Sequence, residues 1–223
     1  MLIIFDLDDT LVDTSAFITP KQLRKAFLCM QHLGANLSES ALQELWTLNA
    51  VSGSSLEALE EFVRRRNIPK DFYMRARYVL DQELPEDMTI QPVNGAIDVL
   101  RQLQVRHLLA VVSYGDLQRQ LYKLEKAGID SAFFCKILVS DERNKEKYYL
   151  DILRAEQMSP EKVVVCGDRI EGDLVPAKKL GCTTVHMQRG RGILACGVKT
   201  VVDFVVSDLI QFACLMKSLS NDH

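Results

Sequence analysis

Two aspartates one residue apart, Asp6 and Asp8, follow the apolar run Leu2-Ile3-Ile4-Phe5. Such a run reads as a buried strand, and alternation along an extended backbone puts both carboxylates on one side at the point where the strand must end. Two anions held that close repel each other. The arrangement calls for a cation between them or for one carboxyl that keeps its proton, so a metal site or an acid and nucleophile pair is the chemistry to expect. Acidic residues also cap helices and close turns, which is the ordinary alternative for an isolated pair.

The elements that must position this pair come later in the chain. From Gln91 onward, helices alternate with unbroken apolar strands at 108–112, 136–139, 163–166, 183–187 and 204–206. That rhythm predicts an α/β fold, a doubly wound parallel sheet covered on both faces, with its ligand beyond the carboxyl ends of the strands. Right-handed crossovers bring those ends to one edge. Ser113 stands at the end of the second strand, Lys145 after the third, and Asp168 with Asp173 after the fourth. Four acids, a hydroxyl and an ammonium therefore converge on one crevice. Carboxylate oxygens suit a hard dication such as magnesium better than zinc. The hydroxyl, the lysine and backbone amides at helix starts suit phosphate oxygens.

Residues 16–87 read differently, as consecutive helices with no strand pattern. Thr19-Pro20 is a start signal, with Leu23, Phe27 and Met30 on one face and Gly34 as the stop. Ser38 opens a second helix with Leu42, Leu45 and Trp46 inward. Ser54 and Glu57 form a capping box for a third, which Ile68-Pro69 ends, and 71–84 reads as a fourth. The expected organisation is an α/β core of residues 1–15 and 88–223 with a helical insert, 16–87, after the first strand.

The combination resembles the haloacid dehalogenase superfamily. Its four motifs are matched by Asp6-Leu7-Asp8-Asp9-Thr10, by an apolar strand ending in Ser113, by Lys145 before a helix, and by Gly167-Asp168 through Asp173. The second motif departs from the family's pattern, because Tyr114-Gly115 follows Ser113 where an asparagine is usual. The resemblance implies a Rossmann-like core with a helical cap over the active site. It implies a magnesium-dependent phosphatase acting on a small phosphorylated metabolite through an aspartyl phosphate. In that reading Asp6 is the nucleophile and Asp8 the acid and base. Ser113 and Lys145 bind the phosphoryl group, with Lys147 the alternative to Lys145. The metal is held by Asp6, the Asp8 carbonyl and Asp168, with Asp173 behind them. Rival functions are a phosphomutase, a receiver-like signalling domain and a non-catalytic binding protein; a dehalogenase would leave Asp8 without a task.

Composition bounds the rest. The chain has 223 residues, 48% hydrophobic, and a formal charge of -3, enough for one large core and a smaller module. No basic excess offers a grip on nucleic acid, and no apolar stretch reaches the ~20 residues of a membrane helix. The first strand begins at residue 2 without a secretory signal, so the cytoplasm is the expected compartment. Cys29, Cys135, Cys166, Cys182, Cys196 and Cys214 are scattered and read as reduced core thiols. Asp9, Asp13 and Thr10 read as turn residues and His186 as a core-edge histidine. Arg64-Arg65-Arg66 in the insert, and Arg189 with Arg191 after the fifth strand, could face an anionic substrate, although the ordinary role of such a charge run is a solvated face.

Overall fold

The structure, a computed structural model, describes residues 1–81, 84–194 and 199–221. The chain divides into two compact units, one of Met1–Thr14 with Thr89–His223 and one of Ser15–Met88. In the larger unit β1 (Leu2–Phe5), β2 (Leu108–Tyr114), β3 (Lys136–Ser140), β4 (Val163–Gly167), β5 (Thr183–Met187) and β6 (Phe204–Val206) form one sheet in the order β3-β2-β1-β4-β5-β6. Every pairing is parallel, with Phe5 beside Val111 on one flank and Cys166 on the other. β1 is thus central, and all four of its residues are fully buried. This explains why it is apolar throughout where a half-exposed strand would alternate.

The helices, in chain order, are α1 (Thr14–Phe17), α2 (Thr19–His32), α3 (Glu39–Val51), α4 (Ser55–Arg65), α5 (Lys70–Asp81), α6 (Ala96–Leu103), α7 (Leu117–Lys126), α8 (Glu146–Ala155), α9 (Val175–Lys179) and α10 (Leu209–Asn221). Both faces of the sheet are covered, as a parallel sheet requires. On one, Leu2, Ile4, Ala110, Val112, Val163 and Val165 pack with Tyr149, Ile152 and Leu153 of α8 and Ala177 of α9. On the other, the Phe5 ring meets Phe212 of α10 edge-on, centroids 5.2 Å apart.

The smaller unit has its own core, in which Leu23, Phe27 and Met30 of α2 pack with Leu42 and Leu45 of α3 and Phe62 of α4. Ser54 caps α4 by accepting the Glu57 N–H. Two boundaries differ from the sequence expectation. Thr19 is the first residue of α2 and not its cap, because α1 delivers the chain already helical and Ile18 at the cap has αR angles. α5 spans Lys70–Asp81 among the described residues, and Leu84 is not helical, because a residue preceding proline, here Pro85, is held out of the α region. Arg64 and Arg65 pair with Glu61, and Arg66 with Glu44, so this basic run lies on a solvated helix face.

The insert leaves the sheet and returns to it at one point. Asp13 N–H donates to the Gln91 carbonyl at 3.0 Å and Val93 N–H to the Leu11 carbonyl at 2.8 Å, so the two ends of the larger unit's chain are tied together there. Cys166 and Cys182 are buried thiols as expected, whereas Cys135 and Cys214 are exposed, the former just outside edge strand β3 and the latter on α10. Cys196 lies outside the described residues. Among those residues no helix is long and apolar enough to cross a membrane.

Phe5 sits directly before the first acid, so its packing anchors the site to the sheet. Phe5→Ala should destabilise the protein by about 3–5 kcal/mol through the cavity it leaves. Urea titration would measure it, and a cost below about 1 kcal/mol would show that the Phe5 and Phe212 contact is not structural.

Candidate active site

β1, β2 and β4 end at the same edge, and each hands its next polar residue to it. Asp6 follows β1, its N–H donating to the Cys166 carbonyl at 2.9 Å, so the backbone is still in register with β4 where the carboxylate emerges. Beyond it the chain turns tightly. The Leu7 carbonyl accepts the N–H groups of Leu11 and Val12, both at 2.9 Å, and Asp9 takes a left-handed φ of 59°, which aspartate tolerates better than most residues.

Asp6, Asp168 and Asp173 each present a carboxylate oxygen within 4.8 Å of the others, and all three are buried. Lys145, at the start of α8, reaches into this group: its Nζ donates to Asp6 Oδ1 at 2.6 Å and pairs with Asp173 Oδ1 at 2.6 Å. Lys147, two residues on, is exposed and lies over the Tyr148 ring. Asp173 is fixed further by accepting the Arg169 N–H at 3.0 Å. Its packing also explains Gly167. A Cβ there would lie 2.8 Å from the Asp173 Cβ and overlap its carboxyl group, so only glycine leaves room. Asp168 is flanked by the Arg169 guanidinium at 3.3 Å, and a ring nitrogen of His186 lies 3.3 Å from its carbonyl.

Lys145 and the Arg169 guanidinium answer two of the three negative charges, which leaves one uncompensated. Burial pushes the Asp6 carboxyl up to about 7; Lys145 opposes this while Asp173 and Asp8 reinforce it. Asp168 is raised well above the usual carboxylate range, by burial first and by Asp6 next. Lys145 is held charged, since the pull of Asp173 and Asp6 outweighs the cost of its burial. Buried oxygen ligands at this spacing fit a hard divalent cation, which would remove the repulsion that remains.

Asp8 is in another situation. Its carboxylate takes no part in that group of three and is clasped from α7 and α1: Lys123 Nζ lies 2.7 and 2.9 Å from its two oxygens, Thr14 donates at 2.5 Å and Gln120 Nε2 at 3.3 Å. Burial would raise its pKa, but Lys123 and these hydrogen bonds prevail and lower it to about 2. Ser113, 1% exposed at the end of β2, accepts from Gln120 Nε2 at 2.8 Å. Arg189 reaches back to Asp13 at 2.9 Å.

Sequence reasoning did not single out Lys123 or Gln120. The signal was available, since Gln120, Lys123, Leu124 and Ala127 recur at helical spacing and form the buried stripe of α7. Polar groups inside an apolar stripe need partners, and here those are site residues.

A profile of the haloacid dehalogenase-like hydrolases matches residues 3–187, a span that includes Asp6, Asp8, Ser113, Lys145, Asp168 and Asp173. The chain belongs to that family. Among its relatives, a glyceraldehyde 3-phosphate phosphatase of Methanocaldococcus jannaschii is 28% identical over 99% of this chain and 98% of its own. Another from Pyrococcus furiosus is 26% identical over 94% and 90%. Solved haloacid dehalogenase-like structures share the fold at lower identity. A Haemophilus somnus protein described as a predicted phosphoglycolate phosphatase superposes with a TM-score of 0.72 at 16% identity, over 96% of this chain and 97% of its own. YfnB of Bacillus subtilis, solved bound to magnesium, gives 0.69 at 19%, over 97% and 98%.

Two substitutions follow from this geometry. Gly167→Ala should displace Asp173 and cost about 1–3 kcal/mol, as an overpacked buried position does; an unchanged melting temperature would contradict the packing. Without divalent metal at pH 8, Asp168→Asn should leave thermal stability unchanged or raise it, because removing its burial cost and its repulsion with Asp6 and Asp173 outweighs the lost contact with the partly exposed Arg169. The carboxyl it replaces is raised in the folded state, so the benefit belongs to high pH and vanishes once acid has protonated that group in the parent protein. A marked loss of stability at pH 8 would contradict the charge imbalance.

Proposed function

We propose that the chain is a magnesium-dependent phosphatase that hydrolyses a small phosphorylated metabolite through an aspartyl phosphate on Asp6. The observation that carries this reading is the buried group of Asp6, Asp168 and Asp173 around Lys145, at the same sheet edge as the Ser113 hydroxyl. Phosphatases among the relatives support the reaction class, and their shared name puts glyceraldehyde 3-phosphate first among substrates to test. Residues 16–87 would serve as the cap that admits the substrate.

Asp6 is the nucleophile. Lys145 occupies one of its oxygens, which leaves the other to attack phosphorus in line with the departing alcohol. The metal would be held by Asp6, the Asp8 carbonyl and Asp168, with Asp173 orienting Lys145 behind them. When bound, magnesium supplies charge that shields the carboxylate from the phosphate dianion. Lys145 and Ser113 take the charge on the transferring group. Asp8 moves the proton, giving one to the leaving alcohol and later taking one from the attacking water. Clasped by Lys123 it stands as an ion, which suits the second step; for the first it must exchange that contact for a proton.

A panel of phosphate esters assayed with and without magnesium tests the proposal. Release of inorganic phosphate without a bisphosphate activator, lost on chelation, is the expected result; transfer to a sugar hydroxyl without net release would replace hydrolysis by mutase chemistry. Asp6→Asn should lower kcat by about a thousandfold or more. Asp8→Asn should lower it by about 10²–10⁴-fold on an alkyl phosphate and less on p-nitrophenyl phosphate, whose leaving group needs little protonation. Full turnover by Asp6→Asn would end the aspartyl phosphate route.

A further inference from the structure

Gln120 is 2% exposed, and its amide is oriented by its neighbours. The Tyr114 carbonyl lies 2.7 Å from Nε2 and Asp8 Oδ2 lies 3.3 Å from it, and both can only accept. The opposite amide orientation would set Oε1 against these oxygens, so the NH₂ group faces them. The same nitrogen is 2.8 Å from Ser113 Oγ. An amide nitrogen accepts no hydrogen bond, so in this contact Ser113 must be the acceptor. That is the one hydrogen bond of the Ser113 hydroxyl among the described residues, and it leaves the hydroxyl's own proton uncommitted.

A serine hydroxyl rotates freely and spends its proton on whatever acceptor is near. The two N–H groups of Gln120 go to the Tyr114 carbonyl at 2.7 Å and to Oγ at 2.8 Å, and Asp8 Oδ2 at 3.3 Å shares one of them. Because Gln120 donates to Oγ in this contact, the serine proton stays available for an oxygen that arrives at the end of β2.

We propose that Gln120 is a positioning residue that keeps the Ser113 hydroxyl a donor to the phosphoryl oxygens of the substrate. The inference rests on the reading of Ser113 as a phosphate contact. Gln120 touches no substrate itself; it acts through Ser113, and α7 therefore belongs to phosphate recognition although it carries none of the family's motifs.

The test is a double-mutant cycle read by the inhibition constant of inorganic phosphate for the magnesium-loaded enzyme. Ser113→Ala should weaken phosphate about tenfold, the worth of one charge-assisted hydrogen bond. Gln120→Met, which keeps the side chain's length and cannot donate, should weaken it several-fold. The double variant should bind phosphate no worse than Ser113→Ala alone, a coupling that general loosening of α7 would not produce. Gln120→Glu is the second probe, because a carboxylate accepts the serine proton outright and should weaken phosphate at least as much as methionine. Thermal melts identify any variant that fails to fold, in which case the other carries the cycle. If Ser113→Ala loses affinity while both Gln120 variants keep it, or if the losses add, the positioning role is overturned and the phosphate contact stands. If Ser113→Ala itself leaves phosphate inhibition unchanged, the reading of Ser113 fails and takes this inference with it.

Discussion

Three carboxylates brought within 4.8 Å of one another, buried at the end of a sheet, are the constraint on which the rest of this molecule depends. One ammonium serves two of them and the Arg169 guanidinium flanks the third, and the balance remains negative. Burial and mutual repulsion accordingly push Asp6 and Asp168 toward their protonated forms. A fold that maximised stability alone would not gather them, so the cluster reads as stored electrostatic strain that a cation relieves. Its cost dictates local details far from obvious in isolation. Gly167 must be bare so that Asp173 can approach, and Lys145 must sit where α8 begins so that its ammonium reaches two acids.

Asp8 shows the opposite solution two residues away. It has a partner of its own, Lys123, and its pKa falls to about 2 while that of Asp6 rises to about 7. Environments that drive neighbouring carboxyls apart are how one site assigns different tasks to chemically identical groups. Burial opposes ionisation in both; the difference is that the Lys123 ammonium has one acid to satisfy and the Lys145 ammonium has two.

The helical insert is accommodated because it costs the sheet so little. Asp13 and Gln91, then Leu11 and Val93, join the chain before and after it by backbone hydrogen bonds, so the larger unit closes as if the insert were a loop. Ser15–Met88 buries its own apolar stripes around Phe27, Met30 and Phe62, and needs no apolar surface from the sheet for its core. Long insertions cost chain entropy only logarithmically, which makes such an arrangement thermodynamically easy.

Read alone, the sequence determined the sheet, the insert and the identity of the acids. Strands buried on both faces must be apolar throughout, helices need caps and stripes, and both signals are local in the chain. Parallel topology then predicted which residues meet at one edge, so Asp6, Asp168, Asp173, Lys145 and Ser113 were legible before any coordinate. Tertiary structure decided what proximity alone decides. It brought Lys145, and not the exposed Lys147, within reach of Asp6 and Asp173, and it paired Asp8 with Lys123, more than a hundred positions along the chain. It also drew Gln120 into contact with Ser113, and it left Cys135 and Cys214 at the surface. Local pattern reports whether a residue is buried, whereas the direction of a side chain and the partner it finds depend on how elements distant in sequence pack.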